Sequence, residues 1–358
     1  MDYLNSYNYN KQHKWNDRSD AKATTLMDHL REYDFSPASV TLIPSVPGYH
    51  KLDSNPKYGH LKVRKEVGRL GRGKDTRTAT TDPNGACITM QFSSIGSLTK
   101  KYLHRLAYSM DVHRARDAGS GDLSEDDESK PLNLQLVYPT SDEICNSLEG
   151  YRGGNSVPGN KKNVTKDFLK PLFRKWSASV SFLSSLSLTR KDESSSNPLW
   201  KGNNGRLLAN PFHAIAAFPV ILTVAFPCPI LVPHIKTFFQ LSNDAKDDSD
   251  PMEWFMIGSH NLSKAAWGDV QDSKTFGEKR FFIRHWELGV FLSAKHLHAK
   301  RLVPWTPERT DALSQGDATI PLPYRVKPMP YSESDQPWAV DERYVRLDIF
   351  GRRCASDA

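Results

Sequence analysis

Pro233-His234-Ile235-Lys236-Thr237, followed later by Gly258-Ser259-His260-Asn261-Leu262-Ser263-Lys264-Ala265-Ala266-Trp267-Gly268, decides how this chain of 358 residues is read. On an extended segment side chains alternate with period two, so His234 and Lys236 share a face and can meet one group. Glu253-Trp254-Phe255-Met256-Ile257 is a short, mostly apolar run suited to a buried strand, and Gly258-Ser259 ends it in a turn. Asn261 then falls just beyond a strand end. Leu262 to Gly268 reads as a short helical stretch closed by glycine, whose first turn is expected to aim backbone NH groups and the Ser263 hydroxyl at an anion. A fixed ammonium, a neutral carboxamide donor and an imidazole that exchanges protons near neutral pH together suit a group bearing phosphate oxygens. Lys236, Asn261 and His234 supply them.

A His-x-Lys triplet alone carries little weight, because so short a pattern recurs by chance. His298-Ala299-Lys300 has no Asn after it, and His60-Leu61-Lys62 is followed by Asn84 only within the turn signal Asp82-Pro83-Asn84-Gly85, without the apolar strand and Gly-Ser exit that precede Asn261.

Outward from the motif the layout is mixed α/β. Ala21 to Tyr33 places Leu26, His29 and Leu30 at helical spacing, and Ser39-Val40-Thr41-Leu42-Ile43 reads as a strand ended by Pro44. Asn133-Leu134-Gln135-Leu136-Val137-Tyr138 alternates as a strand. Lys166 to Trp176 carries Phe168, Leu169, Leu172, Phe173 and Trp176 on one helical stripe, read as core. Phe281-Phe282-Ile283 and Leu288-Gly289-Val290-Phe291-Leu292 read as buried strand segments flanking Glu287. A carboxylate there needs a partner, and a salt bridge to Arg284 is the plain one.

The residues around the motif resemble the second active-site half of the tyrosyl-DNA phosphodiesterase family, within the phospholipase D superfamily. The resemblance rests on the two strings quoted first and on Trp286-Glu287-Leu288-Gly289-Val290, Gln91-Phe92-Ser93-Ser94-Ile95-Gly96-Ser97-Leu98 and Ser147-Leu148-Glu149-Gly150-Tyr151. It implies an α/β fold, a phospholipase D-like α-β-α sandwich with a mixed sheet, holding a nearly complete second domain and a remnant of the first. The activity it implies is hydrolysis of 3′-phosphotyrosyl DNA in DNA repair, without metal or cofactor, in the nucleus. The implied partners are single- or double-stranded DNA 3′ ends carrying a covalent topoisomerase peptide, with no lipid membrane. In the family a His of the first half attacks phosphorus and forms a phospho-histidine, while the second His protonates the leaving tyrosine and later activates water. By position His234 resembles that second His, with Lys236 and Asn261 holding phosphate oxygens and Glu287 orienting the His234 ring. Ser94, Ser97 and Ser263 are expected at the DNA backbone. Trp338 is expected either to line the DNA groove or to pack as core. His260 departs from the family, which has a small residue before the Asn.

Residues 1–45 are read as the first-domain remnant, residues 46–345 as the second domain and residues 346–358 as a tail. The first His-x-Lys and its Asn are expected upstream of Met1, so activity is expected to be impaired unless two copies pair their His234 sets. The rival reading is a non-catalytic fragment that binds DNA ends.

The net charge of +7 suits a polyanion, and Lys57, Lys62, Arg64, Lys65, Arg69, Arg72, Lys74 and Arg77 crowd one segment, read as a DNA-tracking cluster or as a solvated basic loop. Asp122 to Glu128 reads as an acidic surface loop. Cys87, Cys145, Cys228 and Cys354 lack C-x-x-C spacing and fit a reducing compartment, and the N-terminus begins no signal peptide. From Leu207 to Pro233 there is no charged residue, but Pro211, Pro219, Pro227, Pro229 and Pro233 argue against a membrane-spanning helix. Family-like sequence pauses across residues 207–232, after a Ser-rich linker from Ser177 to Asn197. This points to a non-native insert of the kind an unspliced intron leaves. Sequencing of mature transcripts is expected to find it removed, and consistent retention would contradict that.

Overall fold

The computed structural model describes residues 12–13, 24–53, 55–71, 87–115, 132–176, 199–201, 207–209, 232, 234–242, 250–305 and 316–354. Most of the apolar stretch 207–232, the Ser-rich linker, the acidic loop and Arg72, Lys74 and Arg77 lie outside the described residues. The chain divides into two compact units, residues 1–40 with 186–224, and residues 41–185 with 225–358.

In the first unit Gln12–His13 pairs antiparallel with Thr24–Thr25, and Leu199–Lys201 pairs antiparallel with Leu207–Ala209. The helix expected over Ala21 to Tyr33 is confined to Leu26–Arg31, with Thr25 as N-cap accepting from the Asp28 amide. The two β-branched threonines extend instead of joining it, and none of its residues is buried.

The second unit is built on a nine-stranded sheet. In chain order the strands of this unit are β1 (Thr41–Ser45), β2 (Gly48–His50), β3 (Ile88–Gln91), β4 (Leu134–Val137), β5 (Phe173–Arg174) and β6 (Lys236–Leu241). They continue with β7 (Met252–Gly258), β8 (Asp269–Ser273), β9 (Glu278–Ile283), β10 (Glu287–Leu292), β11 (Leu302–Pro304) and β12 (Ala318–Ile320). The large sheet runs β12-β11-β7-β6-β3-β4-β5, with β10 pairing β7 and β1 pairing β10, while β8-β9-β2 form a separate sheet. The pairs β3–β4, β4–β5 and β11–β12 are parallel and the others antiparallel, so the sheet is mixed.

Register follows from the buried face. Phe238 lies opposite both Met256 and Met90, and Met256 opposite Phe291, so these four side chains share one face, and all are essentially inaccessible. Helices α1 (Gly59–Gly71), α2 (Lys100–Met110) and α3 (Val112–Ala115) pack on one another and bring Val63, Val67, Leu103, Leu106 and Met110 into the same core. Two polar ties fix this layer: Trp254 Nε1 donates to the Met110 carbonyl at 3.1 Å, and Gln240 Oε1 accepts the Val112 amide at 2.9 Å. On the other face lie Thr237 and Phe239, against buried Tyr324, whose hydroxyl hydrogen-bonds Thr237.

Several expectations are corrected. β1 does not end at Pro44 but runs through it to Ser45, because β1 is an edge strand whose proline needs to donate no hydrogen bond on its outer side. Lys166 to Trp176 is not a helix: Pro171 limits it to a 3-10 turn at Lys170–Leu172, which passes into β5, although Leu169, Leu172, Phe173 and Trp176 are core as read. The described part of the basic cluster is largely engaged on α1, where Glu66 pairs with Lys62 and Arg69, and the buried Arg64 guanidinium lies 4.9 Å from the Tyr108 ring centre. Trp338 does not line a groove. It is 1% exposed, packs in a three-ring cluster with Tyr151 and Tyr344, and donates from Nε1 to the Gly154 carbonyl at 3.1 Å. Residues 346–354, beyond the expected domain end, pack back on it: the Asp348 carboxylate accepts the Tyr151 amide and the Arg352 guanidinium.

Gly258 and Gly289 are register partners where β7 meets β10. A Cβ on Gly258 would lie 2.8 Å from the Gly289 Cα and 2.9 Å from the Leu288 carbonyl oxygen, both backbone, whereas one on Gly289 would strike the mobile end of Met256. Gly258→Ala is therefore expected to lower unfolding free energy by about 2 kcal/mol or more, and Gly289→Ala by less. Urea denaturation of the two variants checks this, and the reverse order would contradict it.

Candidate active site

Four strand ends deliver the site. Lys236, the first residue of β6, faces Gly258, the last of β7, and Gly258 faces Gly289 two residues into β10. Thr237 faces Gln91, the last residue of β3. The loops after β3 and β7 and the starts of β6 and β10 thus meet at one end of the sheet. Period-two parity places Lys236, Gly258 and Glu287 on the same face.

Lys236 is 5% exposed. Its Nζ donates to the His234 carbonyl at 2.5 Å and lies 3.3 Å from His234 Nε2. Burial pulls the lysine down to about 8, against a smaller opposing pull from the Glu287 charge. His234, exposed at its outer edge, is held below its ordinary value by partial burial first and by the neighbouring Lys236 charge second. A charged Lys236 donates to Nε2, so the resting imidazole is neutral with its lone pair on that atom.

The carboxamide of Asn261 is fixed by three donors: Ser93 N and Ser93 Oγ, each at 3.2 Å, and Ser94 N at 3.0 Å, all to Oδ1. Two of these are backbone amides, which settles which atom is oxygen. Among the described residues Nδ2 has no partner, and it is the group left to donate outward. The serine loop runs beside the Asn261 loop: Leu262 N donates to Ser94 O at 3.1 Å and Gly96 N to Leu262 O at 2.9 Å. A Cβ on Gly96 would sit 2.8 Å from Ser263 Cβ, so the approach requires glycine.

The remaining expected site residues are placed as follows. Ser263 caps α4 (Lys264–Trp267), its Oγ accepting the Ala266 amide at 3.1 Å, which leaves the hydroxyl proton to donate elsewhere. Ser97 is exposed and accepts from Lys166 Nζ at 3.3 Å, while Ser94 is partly exposed beside the Pro158 carbonyl. Glu287 is not hydrogen-bonded to His234, nor to Arg284. It accepts from Ser259 Oγ at 2.5 Å and lies 3.8 Å from His285 Nδ1. Burial raises the Glu287 carboxyl, opposed by Ser259, His285 and Lys236. It therefore bears on His234 through the Lys236 charge and not by ring contact. Ser93, Ser259 and His285 were not singled out from sequence. The Gly-Ser exit and the Ser-rich loop carried the first two, whereas nothing in the sequence marked His285.

The other two His-x-Lys triplets do not join. His60 is buried on α1, shares a hydrogen bond with Ser109 at 2.9 Å and is pushed down to about 3 by burial. His298-Ala299-Lys300 precedes β11, which meets β7 at Met252, the end opposite Gly258. No group of three or more His, Cys, Asp or Glu capable of holding a metal occurs among the described residues.

The model of the tyrosyl-DNA phosphodiesterase family matches residues 1–332. The chain is 29% identical over 350 residues to tyrosyl-DNA phosphodiesterase 1 of Arabidopsis thaliana, covering 90% of this chain and 46% of that protein. It is 26% identical over 326 residues to a probable tyrosyl-DNA phosphodiesterase of Caenorhabditis elegans, covering 90% and 53%. It thus spans about half the length of the curated relatives it matches. Crystal structures of two mutants of the yeast tyrosyl-DNA phosphodiesterase share its fold, with TM-scores of 0.53 and 0.54 at 16% identity, covering 95% and 94% of this chain and 63% of each of theirs.

Because burial lowers Lys236, the folded lysine is neutral between about pH 8 and its ordinary value of 10.5, where the unfolded chain keeps it charged. Binding of inorganic phosphate is expected to be full below about pH 8 and to weaken as pH rises through it. In Lys236→Arg, charged throughout, affinity is expected to stay level between pH 8 and 10. Isothermal titration across that window checks this. An unchanged wild-type affinity up to pH 10 would contradict it.

Proposed function

Since the chain belongs to the tyrosyl-DNA phosphodiesterase family, we propose that its His234, Lys236 and Asn261 act on the phosphodiester joining a tyrosine to a DNA 3′ end. The observation that carries this reading is the convergence at one sheet end of a buried ammonium, a carboxamide whose NH2 has no partner among the described residues, and an imidazole whose Nε2 lone pair meets that ammonium.

Lys236 Nζ and Asn261 Nδ2 hold non-bridging phosphate oxygens and stabilise the charge that grows on them at the transition state. Anionic phosphate offsets the two influences that keep His234 neutral, so the imidazole takes up a proton and gives it to the departing tyrosine oxygen. The neutral ring that results accepts a proton from the water that attacks phosphorus next. Nucleophilic attack by a histidine of a facing His-x-Lys half completes the family's chemistry. Neither His60 nor His298 lies where it could serve. Ser94 and Ser97 meet the DNA backbone on the adjoining loop, the peptide adduct is that of a stalled topoisomerase, and the site of action is the nucleus.

Steady-state turnover of a 3′-phosphotyrosyl oligonucleotide tests the proposal. His234→Ala is expected to lower kcat by about 10²-fold or more through loss of acid–base catalysis, while binding of the oligonucleotide persists. Tight binding with no turnover in wild type would favour a DNA-end-binding role, and equal turnover in wild type and His234→Ala would contradict the assignment of His234.

A further inference from the structure

The residue before Asn261 is a histidine, and its surroundings accommodate it. His260 is inaccessible to solvent, and its ring stacks on Trp267 with centroids 4.3 Å apart. The glycine pair makes room for it: a Cβ on Gly258 would lie 3.3 Å from His260 Nδ1, and one on Gly289 would lie 3.5 Å from Cε1.

The hydrogen bonds define its tautomer. Ser45 Oγ has a single proton and donates it to the Ala266 carbonyl at 2.6 Å, so at 3.2 Å it must accept from His260 Nε2. Nδ1 is then a bare acceptor, buried and without a partner among the described residues. A buried group left unpaired calls for an explanation beyond packing, and such departures concentrate beside functional sites. The chain His260–Ser45–Ala266 ties the Asn261 loop to two elements at once. Ser45 is the β1 register partner of Glu287, and Ala266 belongs to α4, which Ser263 caps directly after Asn261 and Leu262.

We propose that His260 is a positioning residue: held by Ser45, stacked on Trp267 and packed beside the Gly258–Gly289 pair, it fixes the turn that presents the Asn261 carboxamide to phosphate. The proposal rests on the phosphate reading of the site. Asn261 Oδ1 is already pinned by the serine loop, and His260 pins the backbone on the other side. Nδ2 is thereby left with one direction in which to donate.

The test is equilibrium binding of the full chain to one oligonucleotide carrying either a 3′-phosphate or a 3′-hydroxyl. The ratio of the two Kd values isolates what the phosphate contributes. His260→Ala and the milder Ser45→Ala are expected to cut that ratio on the order of tenfold through misplacement of Asn261, leaving the 3′-hydroxyl Kd unchanged. His260→Gln, whose Nε2 donates toward Ser45 as the imidazole does, is expected to restore the ratio. If His260→Ala fails to fold, Ser45→Ala and His260→Gln carry the comparison. An unchanged ratio in Ser45→Ala, or equal weakening of both oligonucleotides without rescue by Gln, overturns the proposal. A wild-type ratio near one, equal to that of Lys236→Ala, overturns the phosphate reading itself and this inference with it.

Discussion

The pairing of Lys236 with Gly258 across two antiparallel strands is the constraint on which the rest depends. It puts the start of one strand and the end of the other at the same edge of the sheet, which converts two motifs distant in sequence into neighbours. A slip of one residue would turn Lys236 to the opposite face and expose Phe238 and Met256 to the wrong layer. The hydrophobic core therefore holds the register of the candidate site. The same face continues into Glu287 and Gly289 on β10, and Gly258 and Gly289 leave room for the His260 imidazole, which stacks on Trp267.

This placement also sets the electrostatics. An ammonium withdrawn from water is costly unless a negative group faces it, and among the described residues the half-buried Glu287 charge is what offsets the burial of Lys236. It leans on the His234 carbonyl and ring in the meantime. In the proposed reading an arriving phosphate satisfies the ammonium and the Asn261 NH2 together. Glu287 is braced by Ser259, whose hydroxyl also accepts the Leu288 amide, so the carboxylate is a fixed part of the scaffold and not a free base.

Much of this was legible in the sequence. The apolar run ending in Gly-Ser defined β7, and period two on either side of Ile235 paired His234 with Lys236. Strand periodicity also gave β4, β9 and β10. What escaped reading did so for identifiable reasons. Pro44 looked like a terminator because a sequence does not show that its strand lies at an edge. The apolar spacing from Phe168 to Trp176 looked helical, but Pro171 and the parallel partner β4 drew it into a turn and strand. Trp338 could have faced solvent or core, and only the stack of Tyr151 and Tyr344 decides it. Glu287 was assigned to the His234 ring, whereas its true partner, Ser259, lies one strand away, a contact that spacing along the chain does not encode.

The central claim is that one phosphate is gripped jointly by His234, Lys236 and Asn261. The most direct test is a crystal structure of the chain with bound orthovanadate, whose oxygens imitate those of phosphate. The account predicts oxyanion oxygens about 2.7–3.2 Å from Lys236 Nζ, Asn261 Nδ2 and His234 Nε2, with the lysine released from the His234 carbonyl. An oxyanion bound elsewhere, with Lys236 still on that carbonyl, would contradict it.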